Sequence, residues 1–202
     1  MKTEKLTFLD VDAVADLLKK EEIVAFPTET VYGLGAIFDS EIAFKRLVDA
    51  KKRPADKPFT VMCASVDDIE KIAVVDHRIR NIAKHLMPGP LTIIVKAREN
   101  LPVWVSLHTG RVGVRVSDLP FVREMISLVG KPLLVPSANK SSEPPAMSGE
   151  EAFQIFDGEI AGVVFGKVPG QMPSTIVNIG DTITLVRQGP ISLEQVLKAA
   201  ED

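Results

Sequence analysis

Apolar residues recur along the chain in two alternating rhythms. Short runs rich in Val, Ile, Leu and Phe fall at Ile23–Phe26, Phe59–Cys63, Leu91–Lys96, Val112–Val116, Leu133–Val135, Ile160–Phe165, Thr175–Ile179 and Ile183–Val186, and they read as strands. Between them the apolar positions take helical spacing. Asp10 stands as N-cap before a helix over Val11–Lys20 that keeps Val14, Leu17 and Leu18 on one face, and Ser40 precedes one over Ile42–Lys51 carrying Phe44, Leu47 and Val48. Asp76 caps a third over Arg78–Met87. A fourth, Phe121–Val129, stops at Gly130, and Leu193–Ala200 forms the last. Strands interleaved with helices predict an α/β fold. About eight short strands with five or six helices are too many for a plain doubly wound sheet, so a twisted mixed sheet with flanking helices is expected, as a single domain over 1–202. Ser137–Ser148 (SANKSSEPPAMS) is the one long candidate loop.

Composition narrows the class. Hydrophobic residues at 46% and charged residues at 25% exclude a disordered, collagen-like or coiled-coil chain. A formal net charge of −3 argues against a protein that coats nucleic acid or anionic membrane. The lone Cys63 forbids an internal disulfide and a cysteine metal cluster. Acidic residues interrupt every apolar run in the first twenty positions, and no stretch approaches the roughly 18 apolar residues of a membrane span. A soluble, cytoplasmic protein is expected.

Candidate chemistry sits at strand ends. Pro27-Thr-Glu-Thr-Val-Tyr-Gly-Leu-Gly35 follows an apolar strand, where open α/β sheets place ligands. Gly33 and Gly35 lack the third glycine of a dinucleotide fingerprint, and Gly162–Lys167 falls short of a Walker A loop. A different phosphate-holding device is available in Lys45–Lys57, where six basic residues oppose Asp49 and Asp56, a local +4. Its Lys-x-Arg-Pro turn offers an ammonium and a guanidinium fork, although basic residues also suit a helix C-terminus. Ser137-Ala-Asn139 follows another strand; its side chains either bond phosphate oxygens or make a turn. Ser137–Lys140 also matches the SxxK of acyl-serine enzymes, but the companion Lys-Thr-Gly and a G-x-S-x-G elbow are absent. His77, His85 and His108 show no zinc spacing. Cys63 reads as core, and Trp104 as cover for an edge.

Taken together, the motif from Pro27 to Gly35, Lys51-Lys-Arg-Pro54 with Lys57-Pro58, Pro88-Gly-Pro-Leu-Thr92, Val112-Gly-Val-Arg115, Pro136-Ser-Ala-Asn139, Ser174-Thr-Ile-Val177 and Arg187-Gln-Gly-Pro190 resemble, in order, the signature of the YrdC-like family. The resemblance runs from about residue 23 to 190 and is to the short, single-domain members. It implies a large positively charged concave cavity and the chemistry of the family's characterised members, the threonylcarbamoyl-AMP synthases. These are nucleotidyltransferases that join L-threonine, bicarbonate and ATP into threonylcarbamoyl-adenylate and pyrophosphate. A separate tRNA threonylcarbamoyl transferase complex consumes the product. By the resemblance, Lys51, Arg53, Ser137 and Asn139 form the catalytic tetrad. Thr30, Arg115 and Ser174 take the substrate threonine. Arg53, Lys57, Arg111, Ser137, Asn139 and Arg187 contact ATP. Mg²⁺ arrives on the ATP phosphates, with no protein metal site. Lys140 stands where the family usually has an apolar residue, and Pro173 before Ser174 is unusual. Two rival readings are a non-catalytic module binding double-stranded RNA or tRNA, and a paralogue forming carbamoyl-adenylate. Weak RNA binding would be compatible with the main reading.

Overall fold

The computed structural model describes residues 2–54, 57–170 and 172–202. In chain order its strands are β1 (Glu4–Leu6), β2 (Val24–Pro27), β3 (Tyr32–Ile37), β4 (Val61–Cys63), β5 (Leu91–Lys96), β6 (Arg111–Val116), β7 (Leu133–Leu134), β8 (Gly162–Val164), β9 (Thr175–Ile179) and β10 (Ile183–Arg187). The helices are α1 (Val11–Lys19), α2 (Glu41–Lys51), α3 (Ile69–Ile72), α4 (His77–Leu86), α5 (Val103–Ser106), α6 (Pro120–Val129), α7 (Gly149–Phe156) and α8 (Leu193–Glu201). The strands join in the order β1-β8-β2-β3-β7-β4-β6-β5-β9-β10. The sheet combines parallel pairs (β1 with β8, β2 with β8, β4 with β6, β5 with β9) with antiparallel ones, so it is mixed as expected.

Strands β2, β4 and β8 are buried at every position, which explains their continuous apolar runs. Helix α1 buries Val14, Ala15 and Leu18 and packs against α6, while α4 packs against α8. Ser40 and Asp76 cap α2 and α4 by accepting from Ala43 N and Ile79 N. Cys63 is fully buried, and burial pushes its thiol up to about 12, so it is an inert core residue. Trp104 donates from Nε1 to Phe38 O (2.9 Å) and stacks on Phe44. Among the described residues no helix is long and apolar enough to cross a membrane.

One local expectation is corrected, and three elements lie outside those expected. Asp10 does not cap α1 with its side chain; its carboxylate accepts from Thr7 N and Oγ1 (2.7 Å each), closing a capping box on the 3-10 turn Phe8–Asp10. β1 was invisible because three residues with two charges show no alternation. β3 runs through what reads as a loop. Its glycines are there for close approach: a Cβ on Gly33 would lie 2.6 Å from Val135 Cγ1, and one on Gly35 2.5 Å from Phe26 Cε1. Finally, α7 begins where the long loop ends, with Ser148 accepting from Glu151 N (3.2 Å).

Candidate active site

The floor of a cleft of about 380 Å³ is a single cross-strand row. Met62 of β4 pairs with Arg115 of β6, Thr92 of β5 with Ile176 of β9, and Ile176 with Arg187 of β10. The Ile93–Val114 pairing sets Thr92 beside Arg115. Because strand side chains alternate with period two, residues opposite one another share a face. This row puts two guanidiniums and a hydroxyl on the same face. Arg53, Phe59, Ser137, Asn139, Glu143 and Ser174 complete the walls. Three arginines and one glutamate therefore face the cavity.

One wall stands on the turn between β2 and β3. Thr28 Oγ1 accepts from Thr30 N (3.2 Å) and Val31 N (3.3 Å) and donates to Val31 O (2.7 Å). The two threonine hydroxyls lie 3.0 Å apart, and either could donate to the other. Thr30 Oγ1 in turn accepts from Arg115 Nη2 (2.9 Å), and the same nitrogen donates to Glu29 Oε1 (2.7 Å). Ser117 Oγ donates to Glu29 Oε2. Burial works to neutralise Glu29, but the Arg115 charge and the bonds from Ser117 and Arg115 outweigh it and hold the carboxyl below its ordinary range. Arg115 Nε is buried without a partner, an orphan donor beside the cleft.

The second wall joins two motifs distant in sequence. Arg187 donates from Nε (3.0 Å) and Nη2 (2.8 Å) to Ser174 O, and Nη2 lies 3.2 Å from Ser174 Oγ. Ser174 Oγ is 3.0 Å from Thr92 Oγ1. Buried Thr175 fastens the following turn: its hydroxyl accepts from Gly189 N and Ile191 N (3.0 Å each) and donates to Ile191 O (2.6 Å).

The third wall is built by the end of α2 and the turn after β7. Lys52 takes a left-handed conformation (φ 50°) at the C-cap, and Arg53 then lies over the Phe59 ring at 5.1 Å. Lys51, only 2% exposed, donates from Nζ to Ser137 O (2.5 Å), Asn139 O (3.0 Å) and Asn139 Oδ1 (3.0 Å). Burial, with the charges of Arg53 and Lys140, pushes its ammonium down to about 8. Ser137 Oγ donates to Asn139 Oδ1 (2.6 Å). Lys140 turns away from the cleft: Nζ bonds Ala50 O (2.9 Å) and Glu159 Oε2 (2.6 Å) and sits over the Phe156 ring, its stem filling the place of an apolar side chain.

Of the residues singled out from sequence, Arg53, Arg115, Ser137, Asn139, Ser174 and Arg187 line this cleft. Lys51 and Thr30 lie directly behind it, bonded to its lining. Lys57 is exposed next to Pro58, which lines the cleft. Arg111 stands at the far end of β6 from Arg115, with Nη2 spent on the carbonyls of Ile94 (2.9 Å) and Ile179 (2.7 Å), outside the lining. Asp56, the second acid of the basic window, lies outside the described residues. Sequence reading left Glu29, Thr92, Ser117, Glu143 and Thr175 without roles. Glu29, Thr92 and Thr175 stand inside the quoted motifs and Glu143 inside the long candidate loop Ser137–Ser148, whereas Ser117 carries no signal. A wider hollow of about 720 Å³ beside β1, lined by Lys2, Thr3, Glu4, Lys5, Phe153 and Asp157, gathers no comparable set of strand-end donors. Among the described residues no group of His, Cys, Asp or Glu is placed to hold a metal ion.

A model of the Sua5/YciO/YrdC family, described as telomere recombination, matches residues 16–189. A threonylcarbamoyl-AMP synthase of Bacillus subtilis is 36% identical over 200 residues, covering 96% of this chain and 58% of that protein. One from an Enterobacter species is 33% identical over 177 residues, covering 86% of this chain and 93% of its own length. The solved structure of Pyrococcus abyssi Sua5 complexed with L-threonine superposes with a TM-score of 0.92 at 30% identity, covering 98% of this chain and 61% of that one. The chain thus spans 58% of the Bacillus relative and nearly the whole of the Enterobacter one.

Proposed function

The chain belongs to the Sua5/YciO/YrdC family, and on that premise we propose that it is a cytoplasmic threonylcarbamoyl-AMP synthase acting on L-threonine, bicarbonate and ATP. The observation that carries this reading is the convergence of Arg53, Arg115 and Arg187 with the hydroxyl of Ser174 in one cleft. A triphosphate and an amino-acid carboxylate are both anions that guanidinium forks recognise.

In this reading Arg115 takes the threonine carboxylate, with Ser174 beside it. Thr30, whose Oγ1 accepts from Arg115 Nη2, orients Arg115. Arg53 and Arg187 hold the phosphates, with Lys57 close to the lining and Arg111 outside it at the far end of β6. Threonine and bicarbonate form a carbamate with loss of water. A carbamate oxygen then attacks the α-phosphorus of ATP. A new phosphorus–oxygen bond forms as the bond to the bridging oxygen breaks, and pyrophosphate leaves with the charge. Positioning and fixed positive charge supply the catalysis, without a covalent protein intermediate. Among the described residues Glu143 is the one carboxylate lining the cleft, a donor set that suits Mg²⁺ entering with ATP as part of the substrate. The adenylate is an activated acyl donor, suited to a transferase complex that modifies tRNA. The purified protein is expected to release pyrophosphate only when ATP, threonine and bicarbonate are all present. Release that ignores threonine would overturn the reading.

A further inference from the structure

We propose that Lys51 and Asn139 are positioning residues, which lock the Ser137–Glu143 turn into a self-bonded scaffold and leave nucleotide contact to the arginines around it. This rests on the synthase reading for what the cleft holds, but the hydrogen bonding that carries it is independent of the substrate.

An ammonium has three protons, and those of Lys51 meet three acceptors: Ser137 O, Asn139 O and Asn139 Oδ1. A side-chain amide has two protons and two lone pairs on oxygen. Asn139 Oδ1 accepts from Lys51 Nζ and from Ser137 Oγ. Asn139 Nδ2 donates to Lys140 O (2.9 Å) and to Glu143 O (2.7 Å). Every hydrogen-bonding position on both side chains is thus filled from within the turn. The Ser137 hydroxyl has given its single proton to Asn139. Phosphate oxygens are acceptors, so none of these three groups can bond a phosphate without breaking a buried or part-buried bond of the turn, which is costly. The backbone is tied in as well, because Ser141 N donates to Lys51 O (2.8 Å) and Ala138 N to Tyr32 O (2.7 Å). Tyr32 follows directly on the Thr28–Val31 turn. The Lys51 bonds therefore hold the phosphate wall in register with the threonine wall. Arg187, by contrast, bonds the protein through Nε and Nη2, which leaves Nη1 for a ligand.

Two readouts test this, one needing no ligand. In the ligand-free protein, Lys51→Met keeps the length of the side chain but cannot donate. Amide hydrogen exchange over residues 137–143 should accelerate about tenfold or more in it, the loss expected for charged buried bonds. Ser137→Ala, a milder change that serves if Lys51→Met does not fold, should also accelerate exchange there. Arg53→Gln should leave exchange of the turn at the wild-type rate while weakening MgATP binding in equilibrium dialysis. Wild-type exchange in Lys51→Met combined with weakened MgATP binding would overturn the proposal, since Lys51 would then touch the nucleotide itself. Wild-type protein that binds no MgATP would sink the synthase reading and leave the exchange result to stand or fall alone.

Discussion

Glu29 meets Arg115 where both are nearly buried, at 11% and 7% side-chain exposure. At such a site the pair matters less for its attraction than for what one member would suffer without the other. Glu29→Gln preserves shape and one acceptor but leaves the guanidinium uncompensated, and is expected to destabilise the protein by about 2–3 kcal/mol at neutral pH. The pH dependence has a definite sign. The folded-state carboxyl titrates below its ordinary 4.5, so its contribution is complete above that value and is lost as pH falls through the depressed one. Denaturant unfolding should show wild type and variant far apart at pH 7 and converging in acid. A gap of equal size at both pH values would show that the carboxylate charge does not hold Arg115.

At the scale of elements, the turn after β10 shows how local chemistry reaches the site. A Cβ on Gly189 would run into Thr175 N and lie 2.5 Å from Pro173 O. Gly189→Ala must therefore move the strand that carries Ser174, and a cost of about 2 kcal/mol or more is expected, with a raised KM for threonine. Unchanged unfolding and kinetics would mean that the turn yields freely. The same elements show what was readable beforehand. Leu91–Lys96 and Thr175–Ile179 match the observed strands because unbroken β-branched runs leave no competing period. Ser40 and Asp76 were readable as caps because the capping bond spans three residues. The row Met62, Arg115, Thr92, Ile176 and Arg187 was not readable, since register between strands far apart in sequence is set by tertiary packing. Nor was the double-glycine strand, whose signal is a close approach of neighbours rather than any property of its own residues. Motif resemblance picked out Arg53, Arg115, Ser137, Asn139, Ser174 and Arg187, which line one cleft. Their hydrogen-bonding roles, such as Lys51 facing the turn, needed coordinates.

Over the whole molecule the basic window resolves differently from its +4 in sequence. Lys45 pairs with Glu41 (2.8 Å) and Arg46 with Glu22 (3.0 Å), Lys51 is buried, and only Arg53 reaches the cleft lining. Its positive charge is thus split between local ion pairs on the surface and one wall of a small cavity. A protein of net charge −3 arranged this way gathers Arg53, Arg115 and Arg187 around one small cavity, which suits a ligand of a few phosphates better than a polymer. Salt then separates the main reading from the RNA-binding one. A surface that neutralises 6–10 nucleic-acid phosphates loses about 10³–10⁵ in affinity between roughly 50 and 200 mM salt. One triphosphate held by Arg53 and Arg187 in a recessed site would be screened far less, and the KM for ATP should rise by less than about tenfold over the same range. Measuring MgATP binding and binding of a double-stranded RNA side by side across that range decides the matter. Tight RNA binding with the steep slope, alongside ATP binding that vanishes, would favour the RNA module, because the cleft's arginines would then belong to a larger polyanion track.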